Sequence, residues 1–438
     1  MITCRLRRSG QTLALLLATL TLPFHAAGAE EQDIAGRTLT LQQCLALGLK
    51  QNPATEIARQ NLSAAREKVA EARSGSYPLL RFSAGYTYAT PAAAAISSDN
   101  FDNRFSLKQN LYDAGLTASL VDGAVHGIRA QESDLRRVGL DVALNVHASF
   151  YEVLRRHDFI EIARQALESS DKHVEQAQAL YQQGLAPRSD VIKAEVQVST
   201  GQLEIIRAEN AYLLAKANLS AAMGLPVTTE YDVVDQESGL EPAVPSLPQA
   251  LVEASEKRPE LAAVRSRQAV AEAAVRQAQS GLYPAVSLDA SYGWQESDFV
   301  PLDTRWSVGL TVTIPVFERR VARARINEAA ASRSGLQAVA TQTVRAVELE
   351  VEQAWLLLKE SLERRTVTKK ILEQTETDIR VSEGRYQEGL GTMLEVIDAR
   401  TMVTQAGLNV VIARYDIAQA RARLARALGT GLAEEVAQ

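Results

Sequence analysis

Glu395 and Asp398 stand three residues apart in YQEGLGTMLEVIDAR (386–400). On a helix that spacing puts both carboxylates on one face, where they would attract cations. Thr392 and Glu395 also form a Thr-x-x-Glu capping box, in which Glu395 satisfies backbone donors at a helix start. The capping role accounts for Glu395 and leaves Asp398 unexplained. A second copy stands 205 residues earlier as YQQGLAPRSDVIKAE (181–195), with an acid nine residues after the Tyr in both (Asp190, Glu395). Little else in the chain suggests chemistry. His147 and His157 lie ten apart, which is not metal-ligand spacing on a helix, and His126 and His173 are isolated. All four are expected on solvated helix faces. The chain has no phosphate-cradling Gly-rich loop, no Gly-x-Ser-x-Gly elbow and no HExxH. The expectation is a protein with no catalytic, cofactor or metal site, and not an enzyme.

The elements that would carry these acids are duplicated. SGSYP (74–78) recurs as SGLYP (280–284), and LSAAMG (219–224) loosely as LARALG (424–429). Several matches at nearly one offset indicate two copies of one plan, residues 30–240 and 241–438, joined at the Pro-rich EPAVPSLP (241–248). No Pro occurs between Pro91 and Pro187 or after Pro315, so long helices are expected at about 115–184, 188–224, 319–388 and 392–428. A shorter helix is expected at about 257–280. Stepping 3, 4, 3, 4 from Val396 gives Val396, Ala399, Val403, Ala406, Val410, Ala413, Ile417, Ala420, Leu424 and Ala427. The first copy runs from Val191 through Ala194 to Ala222, and Val344, Val347, Val351, Ala354 and Leu358 repeat the steps on the long helix. A sustained 3.5-residue period with Ala at alternate knobs predicts closely packed coiled-coil rods.

Between the Tyr-Pro signals and the long helices lie runs of period two, expected as strands at about 79–90, 103–113, 284–296 and 304–316. Leu80, Phe82, Ala84, Tyr86 and Tyr88 alternate with polar or small residues, as do Trp306, Val308, Leu310, Val312 and Ile314. About ten residues of such alternation suits a tilted membrane-crossing strand with one face to lipid and one to water. Lipid satisfies no backbone groups, so the edges must close. Four strands are too few, and several chains must share one barrel: two would supply eight strands and three would supply twelve.

The N-terminus reads as a secretory signal over 1–29, with Arg5, Arg7 and Arg8, an apolar Leu13–Leu22 run and Ala27-Gly28-Ala29. No Cys follows the apolar run directly, so no lipid anchor is expected. Loss of that segment removes three Arg and no acid, taking the net charge from −6 to −9, which argues against nucleic acid as a partner. Cys44 then has no intramolecular partner and reads as a small buried apolar residue. The Arg run in ERRVARAR (318–325) suits solvent or the membrane border.

Together Tyr77-Pro78, Tyr283-Pro284, QNLYDAG (109–115), TIPVFERR (313–320) and the paired Tyr-x-x-Gly-Leu turns resemble the TolC-type outer-membrane efflux proteins over nearly all of the mature chain. The resemblance implies an α+β membrane protein: a homotrimer whose twelve-stranded barrel in outer-membrane lipid continues into a long periplasmic helical tunnel. It also implies an exit duct for drugs, metals or polypeptides, with no chemistry of its own. The partners would be a periplasmic adaptor (membrane fusion) protein and an inner-membrane transporter of RND, ABC or similar type. Glu395 and Asp398 match the family's acidic pair at the pore constriction, and Asp190 and Tyr386 match its gate tie between helical turns. Two positions depart from the pattern. Asn110 stands where a Pro is common, and Glu318-Arg319-Arg320 stands where a Gly pair is frequent. Gly391 replaces a base that often strengthens the tie, so a weaker lock is expected. The competing reading is a soluble periplasmic coiled-coil adaptor, which would carry one helical hairpin and need no detergent.

Overall fold

The computed structural model describes residues 36–88, 99–235, 244–296 and 303–430. The expected signal segment lies outside these residues, as does part of the Pro-rich linker. The first copy comprises β1 (Thr38–Leu39), α1 (Leu41–Gln51), α2 (Pro53–Ser74), β2 (Leu79–Tyr88), β3 (Asp99–Tyr112), α3 (Leu116–Gln182), α4 (Arg188–Met223) and β4 (Asp232–Val233). The second comprises α5 (Leu247–Lys257), α6 (Pro259–Ser280), β5 (Ala285–Glu296), β6 (Arg305–Thr313), α7 (Arg319–Gln387) and α8 (Met393–Leu428).

Two helices dominate. α3 has 67 residues and α7 has 69, each about 100 Å long at 1.5 Å per residue. Each reverses at a turn where one glycine takes a left-handed conformation, Gly184 (φ 71°) and Gly389 (φ 71°). The 36-residue α4 and α8 then return along α3 and α7. On α8 the stepped residues Val396, Ala399, Ala406, Ala413, Ile417, Ala420, Leu424 and Ala427 are buried, and Val403 and Val410 are half-buried. On α7, Val347, Val351, Ala354 and Leu358 are buried, but Val344 is exposed in the protomer, at the end of the seam nearer the sheet.

The short helices stack end to end to match the long ones. α4 ends at Gly224 (φ 79°), where a Cβ would lie 2.6 Å from the Gln51 carbonyl oxygen. α8 ends at Gly429 (φ 76°), where a Cβ would lie 2.8 Å from the Lys257 carbonyl. Only glycine permits both the left-handed turn and that approach. The two copies cap the junction differently. Asn52 Nδ2 donates to the Ala222 carbonyl at 2.8 Å. Its counterpart Arg258, buried at 3% exposure, donates from Nη1 to the Arg426 and Ala427 carbonyls at 3.0 and 3.3 Å. Arg258 also pairs with Glu260 and Glu350, and Arg426 joins Glu260, Glu350 and Asp141 of α3. This charged knot ties the copies together, as do Arg267–Asp134 and Arg276–Asp122 between α6 and α3.

The expectation of solvated histidines fails for two of the four. His147 and His173 are buried on α3, because that helix is packed against α1, α2, α4, α6 and α8 and has few free faces. Burial holds the His147 pKa down at about 4, and its ring lies 4.7 Å from that of Tyr151. Cys44 is fully buried, and burial pushes its thiol up to about 12.

β2, β3, β5 and β6 form one antiparallel sheet in that order, so the two hairpins join through β3 and β5. β3 begins at Asp99, four residues before its apolar alternation suggests, because backbone pairing continues through Asn100 and Asp102. Asn110 keeps register with Ser287, and a shift falls between Asn110 and Tyr112. The chain then enters α3 through Ala114 (φ 54°) and Gly115 (φ 83°), where Asp113 accepts from the Gly115 and Thr117 amides at 3.1 and 2.8 Å. Every residue of β2 and β6 is exposed in the protomer. One face carries Leu80, Phe82, Tyr86, Phe105, Tyr292, Trp306, Val308 and Leu310, with Phe82 and Phe105 rings 4.7 Å apart across the strands. No helix among the described residues is long and apolar enough to cross a membrane.

Candidate functional site at the helical turns

The two glycine turns pack on each other. Ala177 of α3, Val191 and Ala194 of α4, Tyr386 of α7, and Met393 and Val396 of α8 form one buried cluster. The sequence builds it locally: Pro187 and Thr392 start the return helices, and the first knob of each seam follows within four residues. This cluster positions all four candidate residues.

Asp190 and Tyr386 come together. The Tyr386 hydroxyl is buried, and its pKa is raised by burial and then by the Asp190 carboxylate beside it. The hydroxyl makes no well-formed hydrogen bond among the described residues. Asp190 is instead 3.6 Å from Lys193 Nζ and accepts from Ser189 Oγ at 3.4 Å.

Glu395 and Asp398 sit at the start of α8 in different surroundings. Thr392 Oγ1 accepts from the Glu395 amide at 3.3 Å, and the Glu395 carboxylate lies 3.3 Å from the same hydroxyl. The expected capping box is therefore only half made, because that carboxylate meets the Thr392 side chain rather than its backbone N–H. Arg385 approaches Glu395 at 3.8 Å and donates to the Leu390 carbonyl at 3.2 Å. Asp398 is exposed and has no ion-pair partner among the described residues. Of the two acids, it alone is left wholly to solvent or to another chain.

Two features escaped the sequence reading. Arg385, adjacent to Tyr386, supplies a base close to where Gly391 lacks one. Three turns from the tip, His173 Nε2 lies 3.2 Å from Glu383, which also accepts from Arg400 Nη2 at 2.6 Å. Arg400 further reaches Ser169, so α3, α7 and α8 are tied at one point. Burial, and then Arg400, lowers the His173 pKa. His173 and Glu383 are 210 residues apart in sequence, so no local pattern could have revealed the tie. No group of His, Cys, Asp and Glu among the described residues could hold a metal ion.

The sequence pattern described as "Outer membrane efflux protein" matches residues 45–225 and again 250–430. The two matches are spaced by the same interval as the two Tyr-x-x-Gly-Leu turns. The chain is 24% identical over 398 residues to the outer membrane protein TolC of Escherichia coli K12, covering 86% of this chain and 80% of that protein. Its fold is similar to that of the outer-membrane channel OprN, with a TM-score of 0.78 at 20% identity over 89% of this chain and 90% of OprN. It is equally similar to the Campylobacter jejuni CmeC outer membrane channel, with a TM-score of 0.78 at 16% identity over 89% and 86% of the two chains. The duplicated hairpins, the shared sheet and the doubled family match agree: the chain belongs to the outer membrane efflux protein family.

Proposed function

We propose that the protein is the trimeric outer-membrane exit duct of a tripartite efflux or type I secretion system, with Glu395 and Asp398 forming its periplasmic constriction. The sheet is the observation that carries this reading. Four strands present a bare apolar face and two unpaired edges, and both are tolerable only in lipid and only in a closed barrel. Three copies would supply twelve strands, within the range of membrane barrels. The helical hairpins then hang as a tunnel of about 100 Å, long enough to meet a periplasmic adaptor and, through it, an inner-membrane transporter. At the tip each chain contributes two carboxylates, and the exposed, unpaired Asp398 supports a pore-facing role. Asp190 and Tyr386 help hold adjacent turns closed, with Arg385 holding Glu395 and the Leu390 carbonyl. Planar-bilayer recording tests the constriction: Glu395→Ala with Asp398→Ala lowers cation selectivity. Unchanged selectivity in a channel of normal conductance would refute that assignment.

A further inference from the structure

The polar face of the sheet carries an uneven charge. Three successive rows of cross-strand neighbours read Ser83–Arg104–Gly293–Arg305, Arg81–Ser106–Ser291–Ser307 and Leu79–Lys108–Asp289–Gly309. They hold four cations and one acid. The next row adds Asp102, which lies 3.8 Å from Arg104. Arg81, Lys108 and Arg305 have no ion-pair partner among the described residues. Between the side chains is a cavity of about 320 Å³ whose polar lining is Arg81, Arg104, Lys108, Ser106, Ser291 and Ser307 together with one acid, Asp289, so cations outnumber acids by three to one. Guanidinium groups with hydroxyls at their base match the donors that multivalent oxyanions require.

Three features give this face a function. Apart from Asn103 and Gln109 the opposite face is apolar, so in a barrel the basic rows line the water-filled lumen, since Arg is costly toward lipid. Barrel closure does not neutralise them. The polar faces of the edge strands carry Arg81, Ser83, Gly85 and Thr87 on β2, and Arg305, Ser307, Gly309, Thr311 and Thr313 on β6, with no acid on either. Pairing one chain's β2 with the next chain's β6 therefore brings basic faces side by side. The charge is also opposite to that of the Glu395–Asp398 tip, although the chain as a whole is acidic at −6.

We propose that the barrel lumen is an anion-binding track, built from Arg81, Arg104, Lys108 and Arg305, for cargo bearing several carboxylate or phosphate groups. The acidic tip admits by one sign of charge, and the barrel receives the anionic groups of the cargo on the way out. The proposal rests on the duct reading, through the orientation of the sheet.

The test uses full-length protein in planar bilayers, with inorganic tripolyphosphate added to the extracellular side only. Tripolyphosphate is expected to lower the wild-type conductance. The half-blocking concentration should rise about tenfold or more in the Arg81→Gln, Arg104→Gln, Lys108→Gln, Arg305→Gln variant. Block should also weaken as KCl is raised from about 0.1 to about 1 M, where screening shortens to about 3 Å. A charge-conserving variant with Lys at the three Arg positions keeps most of the block, and stands in if the Gln variant fails to assemble. Absence of block in wild type at low salt, or equal block in wild type and the Gln variant, overturns the proposal while leaving the duct reading intact. Failure of the wild-type protein to conduct at all overturns the duct reading and this proposal with it.

Discussion

Replacing His147 with Phe should remove a defined part of the protein's acid sensitivity. The imidazole is 5% exposed, its Nδ1 has no partner among the described residues, and burial holds its pKa at about 4 against an ordinary 6.5. In this window the unfolded chain binds the proton and the folded chain does not. The stabilisation is fully present above about pH 6.5 and is lost as pH falls towards 4. A shift of about 2.5 units corresponds to roughly 3 kcal/mol per protomer when complete, and to about 2 kcal/mol at about pH 5. Phe keeps the ring against Tyr151 and cannot titrate. Thermal unfolding of the detergent-solubilised protein, followed by far-UV circular dichroism at about pH 7.5 and pH 5, gives the comparison, because every other titrating group is common to both proteins. Wild type should lose about 2 kcal/mol more than His147→Phe on going to the lower pH. Parallel losses would show that His147 gains water or a counter-charge in the assembled protein, and the argument from burial would fail.

Gly224→Ala and Gly429→Ala should each cost at least about 2 kcal/mol, since both impose a left-handed alanine and push Cβ into backbone. Gly389→Ala, at φ 71° with open space around it, should cost about 1 kcal/mol; equal losses at all three positions in thermal melts would refute the close-approach reading. Arg258→Met should destabilise by about 3 kcal/mol, because it takes the donor from the Ala427 carbonyl, leaves the Arg426 carbonyl only the Gly429 amide, and unbalances Glu260 and Glu350. A melt within a degree of wild type would contradict it. Tyr386→Phe should raise resting conductance only slightly, because it removes only the weak tie to Asp190 and leaves Arg385 on Glu395 and the Leu390 carbonyl. An increase as large as that from Glu395→Ala with Asp398→Ala would refute this.

Periodic patterns carried much of the architecture. The steps from Val396 to Ala427 identify the face of α8 that is buried or half-buried, and alternation from Leu80 to Tyr88 separates an apolar face of β2 from a polar one. Both are readable because each repeats within a few residues and reports a local geometry. The steps fail at Val344, which is 42% exposed in the protomer, since a heptad position is buried only where a partner helix covers it fully. The histidines fail for the converse reason. His147 and His173 look polar in isolation and become interior because α3 is packed on several sides.

The candidate site divides in the same way. Tyr386, Asp190, Glu395 and Asp398 are legible as a duplicated glycine turn with acids on the helix that follows. The sequence by itself therefore determined the duplication, the long helices, the amphipathic strands and the location of the acids. Tertiary structure alone decided that Arg385 reaches Glu395, that Asp398 stays without an ion-pair partner among the described residues, and that Arg400 and His173 meet at Glu383. It alone brought Arg258 under the end of α8 and set Arg81, Arg104, Lys108 and Arg305 in adjacent rows. Periodicity dictates which face of an element is apolar, whereas ion pairs and charged rows depend on the register between elements that can lie 200 residues apart.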